Sequence, residues 1–128
     1  MSVRTLIVDD QAVIRPTLRL RFGRLRCEVA EAENALQGSE VLLKFHPRLV
    51  TLDIIMPEAG GFTALDLLRR IRQTTDETDV VVISSKGDNR QEYLNEGAIE
   101  FTSKPFENLE GLMRKLQPLI EVLDSEPL

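Results

Sequence analysis

The sequence predicts an α/β domain, a five-stranded parallel sheet with helices on both faces. Three observations carry this. Short apolar runs alternate with helix-period segments five times between Leu6 and Leu123, which is the pattern of β-α units with right-handed crossovers. Val80-Val81-Val82-Ile83 is apolar on both side-chain faces, and Leu49, Val50 and Leu52 nearly so, as in strands covered on both sides by helices. The runs end in polar groups (Asp9-Asp10, Asp53, Ser84 and Lys104), and the carboxyl edge of such a sheet is where ligands bind.

The elements follow in order. Leu6-Ile7-Val8 is the first strand. Ile14, Leu18, Phe22 and Leu25 recur at helical spacing. Pro16 lies inside that pattern and lacks the N–H that would bond the Ala12 carbonyl, so a bend or a late start is expected. Arg15, Arg19, Arg21, Arg24 and Arg26 make the segment basic, either as a solvated face or as a docking face for an acidic partner. Cys27 to Ala32 alternates like a half-buried edge strand. Asn34 suits an N-cap for a second helix with Val41, Leu42 and Phe45 on its apolar side. His46-Pro47 closes it, with His46 as a surface cap. Leu49 to Asp53 is a buried strand ended by Met56-Pro57, and Glu58 to Gly61 is a loop. Ala64, Leu65, Leu68 and Ile71 place a third helix. Val80 to Ile83 is the fourth strand. Asn89 to Asn95 forms a fourth helix closed by Gly97, and Ile99 to Ser103 is the last strand. Leu109, Leu112, Met113, Leu116, Ile120 and Leu123 line the final helix, and Asp124 to Leu128 reads as a fraying end.

Composition narrows the function. The 128 residues suit one domain with one core, 1–128, with its body from about 4 to 123. A net charge of −5 argues against general nucleic-acid binding. One cysteine, Cys27, and one histidine, His46, cannot supply a four-ligand His/Cys zinc site. No apolar run approaches a membrane span, and Met1 to Arg4 does not open a signal peptide. A cytoplasmic, soluble protein is expected.

The strand-end residues form a constellation. Asp53 alone reads equally as a loop cap. In a parallel sheet, however, Asp9, Asp10, Asp53, Ser84 and Lys104 converge on one edge. Carboxylates ~4 Å apart at an effective dielectric of ~20 repel by about 4 kcal/mol per pair, so a cation is required. Hard oxygen ligands in an incomplete shell suit Mg²⁺. A carboxylate nucleophile, a divalent metal, a lysine and a hydroxyl are the parts of phosphoryl transfer.

On these residues the sequence resembles the receiver domains of two-component response regulators, of the stand-alone chemotaxis-regulator type. The resemblance is carried by Val8-Asp9-Asp10, Pro47 to Leu49 leading into Leu52-Asp53, Met56-Pro57, Gly61, Ile83-Ser84, Gly97-Ala98, Phe101 and Lys104-Pro105-Phe106. It implies a flavodoxin-like strand order 2-1-3-4-5. It implies Asp53 as phosphoacceptor, and Asp10, Asp53 and the Ile55 carbonyl as Mg²⁺ ligands, with Asp9 binding the metal mainly through water. Ser84 and Lys104 would bind the phosphoryl group, Phe101 would turn inward when Ser84 moves, and the Lys104-Pro105 bond would be cis. Ile55 and Lys86 would tune the rate of phosphate loss. The implied partners are a sensor histidine kinase or phosphotransfer protein and a downstream target protein, with no direct nucleic-acid or membrane contact. The chain would be a monomer or weak dimer that catalyses only its own phosphorylation and dephosphorylation. Gly60 and Arg48 stand where the family usually carries acids, Ser84 to Gly97 is about two residues short, and no output domain is read after Leu123.

The same residues bear on three rival readings. A haloacid-dehalogenase-like phosphatase needs a second acid where Ile55 stands. A flavodoxin-like cofactor binder needs a Gly- and Ser/Thr-rich phosphate cradle that the post-strand loops lack. A receiver-fold scaffold that binds partners without phosphorylation remains the alternative.

Overall fold

The computed structural model describes residues 2–84, 89–103 and 109–125. Lys86, Lys104, the Lys104-Pro105 bond and Phe106 lie outside them. The elements are β1 (Arg4–Val8), α1 (Ile14–Arg24), β2 (Glu28–Ala32), α2 (Ala35–Phe45), β3 (Leu49–Asp53), α3 (Ala64–Thr74), β4 (Asp79–Ser84), α4 (Arg90–Asn95), β5 (Glu100–Ser103) and α5 (Leu109–Ser125). The sheet order is β2-β1-β3-β4-β5, with every neighbouring pair parallel. This is the expected flavodoxin-like order.

Period-two alternation divides the core into two layers. Leu6, Val8, Val50, Leu52, Val80 and Val82 face Leu42 of α2 and Leu67, Leu68 and Ile71 of α3. Ile7, Leu49, Val81 and Ile83 face Leu18 and Phe22 of α1 and Leu112, Leu116 and Ile120 of α5. The inner strands are therefore apolar on both sides, as their sequence requires. Among the described residues, no helix is long and apolar enough to cross a membrane.

Helix ends follow local chemistry. α1 begins at Ile14, which puts Pro16 in the first turn, where its missing N–H removes no intrahelical bond. The late start is the one realised. Asn34 caps α2 by accepting the Gln37 N–H at 2.8 Å, and His46 closes it in the left-handed region at φ 52°. The basic residues of α1 are less solvated than a bare charged face: Arg15 and Arg19 reach Glu31 at 3.4 and 2.5 Å, and Arg21 pairs with Glu110.

Four details differ from the sequence expectation. The buried seam of α2 is Ala35, Gly38, Ser39 and Leu42, while Val41 and Phe45 are half-buried. A Cβ on Gly38 would lie 3.0 Å from Leu67 Cδ2 and 3.2 Å from Val8 Cγ2. Small residues let the helix approach the sheet, and a hydrophobic count does not register them. On α3, Leu67 is fully buried and Leu65 only partly. β5 begins at Glu100 rather than Ile99. α5 continues through Asp124 to Ser125, where a fraying end was expected, because Leu123 is still packed in the core.

Candidate functional site

β1 and β3 place the acids. Val8 pairs with Leu52, so the residues that follow, Asp9 and Asp53, come out abreast at the carboxyl edge. Asp53 in turn pairs with Ile83, which brings Ser84 to the same level at the end of β4. Asp9 and Asp53 are only 2% and 3% exposed, Ser84 is buried, and Asp10 faces solvent. Carboxylate oxygens of Asp9, Asp10 and Asp53 all lie within 4.8 Å of one another.

Local backbone fixes this geometry. The Asp9 N–H donates to the Ala32 carbonyl at 3.0 Å, and its Oδ1 accepts the Gln11 N–H at 2.9 Å. Asp53 Oδ1 accepts the Ile55 N–H at 3.1 Å. Arg15 donates from Nη1 to the Asp9 backbone carbonyl at 2.8 Å, which steadies the end of β1. Three negative groups this close repel by several kcal/mol. The donor set is all hard oxygen, and it suits a small divalent cation that keeps part of its water shell.

The remaining expected residues are placed as follows. Phe101 of β5 is 3% exposed and packs in the layer of α2 and α3. Ile55 is 48% exposed. One residue beside this group was not singled out from the sequence. Arg90, at the start of α4, donates from Nη1 to the Phe101 carbonyl at 3.1 Å, and its guanidinium lies 5.7 Å from the centre of the Phe101 ring. The available signal was a cation in the first turn of a helix, where the backbone N–H groups disfavour it.

A sheet of order 2-1-3-4-5 with an acidic cluster across the ends of its first and third strands, at the point where the winding reverses, defines a receiver-type signalling module. The chain belongs to the response regulator receiver domain family, whose sequence model matches residues 5–117. It is 37% identical over 110 residues to the chemotaxis protein CheY of Bacillus subtilis (strain 168), covering 84% of this chain and 89% of that protein. It covers only 51% and 46% of two other curated response regulators that it matches. Its fold is similar to the CheY-like receiver domain protein from Methanospirillum hungatei JF-1. That match has a TM-score of 0.85 at 22% identity and covers 99% of this chain and 100% of the other. The response regulator protein TrrA from Thermotoga maritima, solved in complex with Mg²⁺-BeF, matches with a TM-score of 0.74 at 27% identity, covering 91% of this chain and 99% of that one.

Proposed function

We propose that the protein is a phosphorylation-controlled switch in a phosphorelay, with Asp53 as the phosphoacceptor. The observation that carries the reading is the approach of the Asp9, Asp10 and Asp53 carboxylates to within 4.8 Å at the carboxyl ends of β1 and β3. An Asp53 oxygen attacks phosphorus, the phosphorus–nitrogen bond of a donor phosphohistidine breaks, and an acyl phosphate forms as the imidazole leaves. Asp9, Asp10, Asp53 and the Ile55 carbonyl would hold Mg²⁺, which when bound neutralises charge on the phosphoryl oxygens. Ser84 and Lys104 would bond the phosphoryl group, and Phe101 would report the change to the protein's surface. The chain is then a single receiver domain, 1–128, that acts only on its own acyl phosphate. Its partners would be a sensor kinase or phosphotransfer protein and a target protein in the cytoplasm.

The test is phosphorylation by acetyl phosphate, followed by mass spectrometry. Wild type should gain one phosphoryl group only with Mg²⁺ or Mn²⁺ present, and Asp53→Asn should gain none. Equal modification of both proteins would remove Asp53 from its role.

A further inference from the structure

We infer that Arg90 is a positioning residue that biases Phe101 toward the inward position that phosphorylation selects, and that it ties α4 to the end of β5. The inference deepens the proposed function, because it rests on Phe101 being the residue that reports phosphorylation.

α4 has six residues and no side-chain N-cap bond from Asn89. Isolated helices this short do not persist in water, so tertiary contacts must hold it. Tyr93 is buried and Leu94 packs on the core. Among the described residues, α4 also has two polar ties to the rest of the fold. At its far end, Glu96 accepts a hydrogen bond from Arg69 at 3.1 Å. At its start, Arg90 bonds the Phe101 carbonyl at 3.1 Å and covers the ring at 5.7 Å.

The second tie is placed against local preference. A cation is unfavourable in the first turn of a helix, and such conflicts collect at functional positions. A planar guanidinium can meet a carbonyl and an aromatic face together, whereas an ammonium is a single point charge. Phe101 pairs with Val82, and Val82 with Leu52, the residue before Asp53. Arg90 is thus two strand pairings from the acceptor strand. Turning Phe101 outward would break the ring contact, and moving α4 would break the carbonyl bond. One side chain couples the two motions.

The test uses the full chain with ¹³C-labelled phenylalanine and no phosphodonor. The Phe101 ring signals are assigned by comparison with Phe101→Leu. Arg90→Ala should raise the outward population of Phe101 about tenfold, which is ~1.4 kcal/mol, and Arg90→Lys should fall between it and wild type. Arg69→Ala, which cuts the other polar tie of the same helix, should leave the Phe101 signals where they are. Unchanged ring signals in Arg90→Ala overturn the inference. So does equal loosening in Arg69→Ala, which would mean that anchorage of α4 in general holds the ring. Because no phosphodonor is present, a failure here is separate from a failure of Asp53 to accept phosphate from acetyl phosphate.

Discussion

The Asp53 carboxylate accepts the Ile55 N–H at 3.1 Å, while Ile55 itself is 48% exposed. The backbone of Ile55 therefore fixes one acceptor oxygen, and its side chain is left to act on solvent. A branched apolar group cannot orient a water for attack on phosphorus. Phosphate should therefore be lost faster from Ile55→Asn plus Lys86→Glu than from wild type, by one or two factors of ten. That is roughly 1.4–2.8 kcal/mol of barrier. Release of inorganic phosphate at a fixed Mg²⁺ concentration checks it, and equal rates would show that these side chains do not control water access.

The start of α3 carries a reciprocal cap. The Asp66 N–H donates to Thr63 Oγ1 at 3.1 Å, and Asp66 Oδ2 accepts the Thr63 N–H at 2.8 Å. Thr63→Ala should cost about 1 kcal/mol, read from denaturant midpoints. The Thr63 N–H, then the Thr63 hydroxyl, holds the Asp66 carboxyl below the usual carboxylate range. A lowered folded value means stability that is present above the unfolded value of about 3.9 and lost as pH falls through the lower folded one. Asp66→Asn should flatten this acid limb. An unchanged acid limb in that variant would remove Asp66 as its cause.

Gly97 closes α4 at φ 104°, and a Cβ there would lie 2.7 Å from Arg72 Cδ. Arg72 is held in turn by its bond to the Thr78 carbonyl, so it cannot swing away freely. Gly97→Ala should destabilise by about 1–3 kcal/mol. Adding Arg72→Ala should relieve the clash but leave the backbone strain. Thermal unfolding of the single and double variants separates the two terms, and a neutral Gly97→Ala would contradict both.

Pro118 sits in the middle of α5 on its exposed side. It lacks the N–H that would bond the Arg114 carbonyl. Pro118→Ala removes no core contact and restores a donor, so it should stabilise the protein by about 1–3 kcal/mol. A lower Tm in this variant would show that a bend at Pro118 is required.

Much of this was legible because strands apolar on both faces can only lie inside a sheet covered by helices on both sides. Val80 to Ile83 could only be interior, which put Ser84 at the end of an inner strand. Strand-end acids were legible for the same reason, since a parallel sheet brings its carboxyl ends to one edge. The seam of α2 was not, because Gly38 and Ser39 pack by being small rather than by being apolar. Arg90 was not either. Its partners are the carbonyl and ring of a residue on another element, and no periodicity in α4 points to them.

The place of β1 between β2 and β3 bears on how the chain assembles during synthesis. The first strand of this sheet to be made is an inner strand, and its second neighbour is Leu49–Asp53, beyond two helices. A nascent chain ending at Phe45 has β1 paired on one side only, with its other row of N–H and C=O groups open. Two strands are too few for independent stability, and Leu67 and Leu68, which share a hydrophobic layer with Val8, have not been made. Chains stalled with Phe45 as the last exposed residue should be cut by protease like unfolded polypeptide, and those exposed through Ser125 should resist. Protection at the shorter length would mean that β1, β2 and their helices hold together without the rest of the sheet.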